Sequence, residues 1–405
     1  MNFNDRESRA LLALMLTPGL GQTLIGRCVG AFGSAEATLG VTGQQLGGIK
    51  GISANRAGEL KRKLDEVVRS GAVDRELEAT HAAGVRLVHR DDAAYPKLLR
   101  HIPDPPLLLW VRGELKEDDA LGLGIVGSRK CSHYGREQAD RFAAQCASAG
   151  LCIISGGAYG IDIAAHRAVL RVKGRTVAVI GSGLGVPYPK DHVPVFDEIV
   201  GEGLGAVVSE FPMSVGPKPE NFPRRNRIIS GMAMGVLVVE AAKRSGALIT
   251  ARLCVEDHGR ECMALPGRVD APASAGCHQI IRDGWATLVT SATDVLDQLG
   301  EAGQLLKAEF EADGSSVKPQ SAEASGGNAG DASAGSSGGV SGGSLFDATL
   351  TDSQKKLVEA LSEGRSLDQL VAWMGTEVGP VQADLTMLEI RGVIQRQGGL
   401  FVRRR

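Results

Sequence analysis

Seven short apolar runs alternate with helical segments between residues 105 and 265, and this alternation limits the possible folds more than any other feature of the chain. The runs cover residues 107–111, 123–126, 151–154, 176–180, 206–208, 236–239 and 261–265. The segments between them mostly hold one helix each, such as 135–149, 162–172 and 246–258. Strands that alternate with helices form a parallel sheet with helices on both faces. We therefore predict an α/β fold class with a doubly wound parallel sheet.

A linker and two smaller domains flank this region. Residues 312–344 contain 24 Gly, Ser or Ala residues among 33 and lack Leu, Ile and aromatic residues. Such a segment cannot bury enough apolar surface to offset the entropy lost on ordering. We predict four parts, which are a helical domain over 1–85, the α/β domain over 86–300, a flexible linker over 301–347 and a small domain over 348–405.

Each small domain carries its own pattern. Residues 16–21 (LTPGLG) and 46–52 (LGGIKGI) match the turns of helix-hairpin-helix units, in which glycine N–H groups approach phosphates. Ordinary helix packing explains the same turns, so both interpretations stay open. In the C-terminal part we expect helices over 352–361, 366–373 and 377–391 and a hairpin of strands 393–397 and 400–403 around Gly398-Gly399. This is a winged-helix pattern, and its wing is basic because residues 391–405 hold five Arg and no acid.

Composition narrows the location and the partners. The net charge is −2, so any nucleic-acid binding must come from local basic patches. The seven cysteines form no Cys-x-x-Cys pair, which indicates reduced thiols in a cytoplasmic protein. No apolar run approaches the ~20 residues of a membrane span, so we expect no membrane contact. Cys254, His258 and Cys262 fall four apart, but Cys262 lies in a predicted strand; we expect no metal and no cofactor.

Several loops after the predicted strands suit a phosphate group. In a doubly wound sheet, ligands bind where loops leave the carboxyl ends of the strands. A Gly-rich turn that enters a helix presents backbone N–H groups to an anion, and arginine offers a planar fork of donors. The segments of this kind are Gly127-Ser128-Arg129, 155–162 (SGGAYGID), Tyr188-Pro189-Lys190, the cluster Arg224, Arg225, Asn226 and Arg227, and 245–250 (SGALIT).

Each of these segments has an alternative explanation. An arginine of the cluster could pair with an internal carboxylate such as Glu240. Tyr159 and Tyr188 could stack on bases or simply pack under their loops. His166 could act as a base, but we expect a packed, hydrogen-bonded histidine beside Asp162. The dinucleotide fingerprint, the Walker A lysine and a nucleophile elbow are all absent from the sequence.

Taken in order, a set of motifs resembles the DNA-processing protein A (DprA/Smf) family over about residues 90–290. The motifs are Tyr95-Pro96, Pro105, Arg112-Gly113, Val126-Gly127-Ser128-Arg129, 155–162, His166, Tyr188-Pro189, Ser209-Glu210, 222–229 (FPRRNRII), 245–250 and Pro266-Gly267. Departures from the family pattern occur at Gly157, His192, Cys277 and Trp285, and none of them removes a charged group.

The resemblance implies an extended Rossmann-like fold, with an N-terminal helix-hairpin-helix or SAM-like domain and a C-terminal winged helix. It implies a homodimer that binds and protects single-stranded DNA and loads the RecA recombinase in natural transformation, without enzymatic activity. Single-strand binding protein and, through the winged helix, duplex DNA are further expected partners. The competing hypothesis is a Rossmann-like hydrolase of nucleotides that uses Asp162, His166 and Glu210. We expect DNA contacts at Gly127, Ser128, Arg129, Gly156, Gly157, Tyr159, Lys190, Arg224, Arg225, Asn226, Arg227, Ser245, Gly246 and Thr250.

Overall fold

The computed structural model describes residues 5–312, 352–361, 364–376, 378–390, 393–397 and 400–403. It divides the chain into two compact units. One takes in the described residues up to Ala147 and from Leu151 to Thr290, and the other takes in 148–150 and the described residues from Ser291 onward. The N-terminal helices and the sheet share the first unit, and the domain borders given above remain predictions.

Six helices open the first unit. They are α1 (Arg6–Leu16), α2 (Gln22–Phe32), α3 (Ala35–Leu39), α4 (Gly43–Gly47), α5 (Ala54–Arg69) and α6 (Ala72–Ala82). The two predicted hairpins are the α1–α2 and α4–α5 turns, where Gly19 and Gly51 adopt φ values of +94° and +98° that favour glycine. Arg56 donates to the carbonyl of Gly19 at 2.8 Å, and Arg27 donates to that of Lys50 at 2.7 Å. Each hairpin thus holds the turn of the other.

A sheet of nine strands forms the rest of the first unit and confirms the predicted α/β class. The strands are β1 (Val85–His89), β2 (Leu108–Gly113), β3 (Gly122–Val126), β4 (Cys152–Ser155), β5 (Thr176–Val179), β6 (Gly205–Ser209), β7 (Gly235–Val238), β8 (Glu261–Ala264) and β9 (Thr287–Leu288). The accompanying helices are α7 (Lys97–Arg100), α8 (His133–Ser148), α9 (Ile161–Arg171), α10 (Val193–Gly201), α11 (Asn221–Met232), α12 (Ala247–Arg252) and α13 (Ala275–Arg282). All seven predicted strands are present.

The strand order is β1-β2-β6-β5-β4-β3-β7-β8-β9. Strands β3 to β9 pair in parallel, whereas β2 pairs antiparallel with β6 and with β1 at one edge. From β3 the chain adds β4, β5 and β6 on one side and then returns to place β7 on the other. This reversal between β3 and β7 is the switch point at which doubly wound sheets bind their ligands.

Helices cover both faces of the sheet, so the side chains of its central strands are buried on both sides. Leu109, Val177 and Val208 belong to the core on one face. Their chain neighbours Leu108 and Ala178 belong to the core on the other face. Successive side chains of a strand point to opposite faces, so two-sided burial gives the continuous apolar runs seen in the sequence.

The N-terminal helices are joined to the sheet by buried polar side chains. Glu76 on α6 accepts hydrogen bonds from the indole N–H of Trp110 at 2.9 Å and from the backbone N–H of Met213 at 2.7 Å. Gln22, the first residue of α2, accepts from the backbone N–H of Leu107 at 2.6 Å and donates to Glu210 at 3.1 Å. The helical region is therefore fixed beside the carboxyl end of β6.

The second unit contains α14 (Ala292–Asp297), α15 (Gly300–Ala312), α16 (Asp352–Ala360), α17 (Leu367–Met374), α18 (Val378–Ile390), β10 (Ile394–Gln397) and β11 (Leu400–Arg403). Three helices and an antiparallel hairpin confirm the winged-helix prediction. Leu357, Leu370, Leu385 and Phe401 form its buried core.

Helix α15 extends into the segment predicted as the linker. Residues 301–312, assigned above to the linker, belong to α15, because Leu306 and Phe310 supply buried apolar side chains. The rest of the predicted linker, the Gly398-Gly399 turn and Arg391, Arg404 and Arg405 of the basic wing lie outside the described residues. Within the described ranges, none of the helices combines the length and the apolar character needed to cross a bilayer.

Candidate nucleic-acid interface

The loops that follow β3 and β7 are tied together at the switch point. Ser128 donates its backbone N–H to the carbonyl of Glu240 at 2.7 Å. The Glu240 carboxylate accepts from the N–H of Ser132 at 2.7 Å and from its hydroxyl at 2.5 Å. Glu240 thus fixes the start of α8. Among the described residues it forms no ion pair with an arginine, so it is not the internal carboxylate that the sequence offered as one possible partner of the cluster.

Two glycines, the predicted contact Gly127 and Gly160 of the loop 155–162, allow the loop after β3 to lie against the start of α9. Gly160 has φ +81°, and a Cβ there would lie 2.2 Å from the carbonyl oxygen of Ser128. A Cβ on Gly127 would lie 2.4 Å from Cγ1 of Ile161. Only glycine permits such backbone contact. This packing holds Arg129 at the protein surface, with its side chain exposed.

The loop 155–162 does cradle an anion, but the anion is the protein's own Asp162. The carboxylate accepts from the N–H of Ala158 at 3.4 Å and also from that of Gly156. Burial raises the pKa of Asp162, and the charge of nearby Arg225 opposes that shift. Gly156 and Gly157 are both buried, so the backbone groups expected to meet a phosphate are directed inward.

Arg225 is an internal residue. Its guanidinium donates to the carbonyls of Gly156 and Val179 and is buried among them. Burial lowers the pKa of Arg225 to about 10, while the charge of Asp162 opposes that change. A Cβ on Gly156 would lie 2.2 Å from the guanidinium, which explains why this position is glycine.

Arg227 and Arg224 share a second buried carboxylate, Glu210 at the end of β6. Arg227 binds it at 2.7 Å and Arg224 approaches it at 3.3 Å. Burial raises the pKa of Glu210, and the charge of Arg227 opposes this most strongly. The cluster lies on α11 and not on a loop. Pro223 does not interrupt this helix, because it stands in the first turn, where a missing N–H is tolerated. Arg224 remains half-exposed.

An exposed aromatic and cationic surface lies beside this buried network. The Arg129 guanidinium lies 4.9 Å from the centroid of the Phe222 ring, and Tyr188 lies 5.8 Å from the same ring. Tyr188 is 38% exposed and Tyr159 41% exposed, so both are accessible. Lys190 is exposed as well. We call these five residues the strand-end surface.

The remaining predicted site residues lie around the start of α12. Asn226 donates to the carbonyl of Gly246 at 3.4 Å, and the Ser245 hydroxyl accepts from the N–H of Ala247 at 3.3 Å. Thr250 is buried. Sequence reasoning missed Phe222 as a contact candidate, although an aromatic residue directly before an arginine cluster is a usable signal. It also missed Lys130, Arg136, Arg167 and Arg171, exposed cations on or beside α8 and α9.

The candidate acid–base groups of the hydrolase hypothesis are all buried. His166 is completely buried, and its Nδ1 lies 2.8 Å from the Thr176 hydroxyl. Burial, with smaller contributions from His192 and Arg225, lowers the pKa of His166 to about 3. The prediction of a packed, hydrogen-bonded histidine is confirmed, with Thr176 as the partner. In the part of the chain that the structure describes, no group of three His, Cys, Asp or Glu could hold a metal ion.

The fold and this surface together define a doubly wound α/β protein with an exposed cationic and aromatic surface at its strand ends. The family model described as DNA recombination-mediator protein A matches residues 86–300, and the DprA winged helix domain matches residues 347–399. The chain belongs to the DNA recombination-mediator protein A family. Membership places it among proteins of DNA processing and recombination.

Individual relatives agree with this assignment. Protein Smf of Escherichia coli is 46% identical over 53% of this chain, a match that spans 56% of the E. coli protein. Protein Smf of Synechocystis is 35% identical over 81% of this chain and 82% of that protein. The solved structure of DNA processing protein A from Streptococcus pneumoniae superimposes with a TM-score of 0.60 at 34% identity, covering 72% of this chain and 97% of that one.

Proposed function

We propose that the strand-end surface binds single-stranded DNA without sequence preference. The observation that carries the proposal is Arg129, an exposed guanidinium that stacks on Phe222 and forms no ion pair with any described residue. A cation held in this way can neutralise a phosphate, while Tyr159, Tyr188 or Phe222 offers a ring to a base. Phosphate neutralisation and base stacking are the two contacts that sequence-independent single-strand binding requires.

The buried network supports the surface without touching DNA. Arg225 and Arg227 hold the loop 155–162 and the end of β6 in place, so the outward-facing side chains keep fixed positions. Of the predicted contacts, we assign DNA binding to Arg129, Lys190, Tyr159 and the half-exposed Arg224. We assign a positioning role to Arg225 and Arg227.

We further infer that the protein is a recombination mediator. It protects incoming DNA and loads RecA during natural transformation, acts as a cytoplasmic homodimer, and meets strands covered by single-strand binding protein. The winged helix contacts duplex DNA, and no step of this role is catalytic. Family membership supports these statements. The hydrolase hypothesis needs accessible acid–base groups, whereas Asp162, His166 and Glu210 are buried.

The decisive variant for DNA binding is Arg129→Gln, compared with Arg62→Gln, which removes an exposed charge from α5. The first change should weaken oligonucleotide binding about tenfold or more, since hydrogen bonds to charged groups contribute about 1.5–3 kcal/mol. It should also lower the slope of log affinity against log salt by about 0.7, the value for one single-strand phosphate contact. Fluorescence anisotropy at several salt concentrations measures both. Wild-type affinity and slope in Arg129→Gln would refute the site.

The mediator role needs a separate experiment. RecA-dependent strand exchange on DNA covered by single-strand binding protein should start faster with the wild-type chain than without it. Arg129→Gln should lose that acceleration. Release of base or phosphate from nucleoside monophosphates by the purified chain would instead support the hydrolase.

A further inference from the structure

A groove continues from the strand-end surface along helices α8 and α9. It encloses about 570 Å³, which lies within the ~300–1,000 Å³ of typical ligand sites. Arg129 and Tyr159 line the groove and belong to the strand-end surface as well. Arg136 on α8 and Arg167 on α9 line it farther from the strand ends. We call it the α8–α9 groove.

The lining of the groove is strongly positive. Lys130, Arg136 and Arg167 are exposed, and none of them forms an ion pair with a residue of the described ranges. Asp140, the acidic residue on the lining, already binds Arg171 through two hydrogen bonds of 2.8 and 2.7 Å. Three cationic side chains are therefore left to attract an anion. Nothing in the packing of α8 or α9 accounts for them, because they face the open groove.

The chemistry of the lining favours a DNA backbone over a specifically recognised small molecule. The described residues that line the groove include no Asn, Gln, Ser or Thr to read the edges of bases. Gly160 and Ala164 also line the groove and offer no hydrogen-bonding side chain. Contacts between such cations and phosphates position a DNA backbone and carry no sequence information.

We propose that the α8–α9 groove binds a second stretch of the same DNA strand, whose phosphates contact Arg136 and Arg167. The strand leaves the strand-end surface past Arg129 and Tyr159 and continues between the two helices. This proposal rests on the proposed function of the strand-end surface. It adds the path that the strand takes beyond that surface.

The test compares the double variant R136Q/R167Q with R62Q/R69Q, which removes the same charge from the exposed side of α5. Oligonucleotides from about 4 to about 16 nucleotides cover the usual range of single-strand site sizes. For the longest, R136Q/R167Q should lower the salt slope by about 1.4, because each lost phosphate contact lowers it by about 0.7. For the shortest, which fill the strand-end surface alone, affinity and slope should match those of the control.

The outcomes separate the two proposals. If Arg129→Gln weakens both lengths while R136Q/R167Q weakens neither, the groove proposal is overturned and the strand-end site stands. If R136Q/R167Q weakens both lengths equally, the groove is not a second stretch. If Arg129→Gln has no effect on either length, the proposed function itself fails. Unchanged melting temperatures confirm that the exposed substitutions leave the fold intact.

Cys131 supplies a second readout in the wild-type chain. It lines the groove and is half-buried, whereas the other six cysteines are buried. A long oligonucleotide should slow its alkylation by N-ethylmaleimide several-fold, and a short one should leave the rate unchanged. Equal alkylation rates with and without the long oligonucleotide would overturn the proposed path.

Discussion

At the scale of single residues, two buried carboxylates decide which cations remain for a ligand. Glu210 holds Arg227, and Asp162 balances Arg225, so two of the three arginines on α11 serve the protein interior. A buried charge that loses its partner is strongly destabilising, typically by about 3–5 kcal/mol. These pairs are therefore part of the fold, whereas Arg129 stays exposed at the switch point.

Sequence patterns locate the arginine cluster of α11. They do not show which of its arginines are free for a ligand and which pair with internal carboxylates. Both Glu240 and Glu210 follow a strand, so either could be the expected partner of an arginine. The choice depends on which strand end α11 crosses, and that is set by the strand order. Asp162 presents the same difficulty, because the Gly-rich turn before it suits an external phosphate as well as an internal carboxylate.

Burial of His166 should make the free energy of unfolding fall at acidic pH. The folded-state pKa of His166 is about 3, well below its ordinary 6.5, because burial disfavours the charged form. Its contribution to stability is complete above pH 6.5 and is lost as pH falls toward 3, at up to about 1.4 kcal/mol per pH unit. His166→Asn keeps a hydrogen-bonding group for Thr176 but cannot titrate. The difference in unfolding free energy between wild type and variant should shrink from pH 7 to pH 4.5 in urea titrations, and a constant difference would contradict the assignment.

At the scale of elements, continuous apolar runs made the buried strands easy to predict. β3 to β8 are covered on both faces, so nearly all of their side chains are apolar. The edge strands were harder to predict. β1 carries Arg86 and His89 within its five residues, and β9 is only two residues long, so neither gives an apolar run. The antiparallel pairing of β1 and β2 likewise leaves no signature in composition.

Glu76 joins α6 to the sheet, and its replacement tests how much this junction contributes to stability. Oε1 of Glu76 accepts both the Trp110 indole and the Met213 N–H, and burial raises the pKa of this carboxyl. Glu76→Ala leaves two buried donors without acceptors and should destabilise the chain by about 2–4 kcal/mol. Glu76→Gln keeps an oxygen in the same place and should lose far less. Urea unfolding followed by tryptophan fluorescence measures both; equal losses would show that charge, and not the two hydrogen bonds, fixes α6.

At the scale of the whole molecule, the surfaces proposed to bind DNA lie on separately packed cores. The strand-end surface and the α8–α9 groove lie on the first unit. The winged helix has its own apolar core, built from residues such as Leu357, Leu370 and Leu385. Two separate cores allow the two proposed activities to be removed one at a time.

The deletion of residues 345–405 tests that separation. Residues 391–405 hold five Arg and no acid, so the removed part carries a concentrated positive charge suited to duplex phosphates. The shortened chain should keep the wild-type affinity and salt slope for single-stranded oligonucleotides and lose most of its duplex binding. Gel-shift titrations with matched single- and double-stranded probes measure the two. Arg129→Gln in the full-length chain should give the opposite pattern, weakened single-strand binding with duplex binding retained. If the deletion weakens both probes equally, the winged helix acts as a general electrostatic anchor, and the assignment of duplex contact to it is wrong.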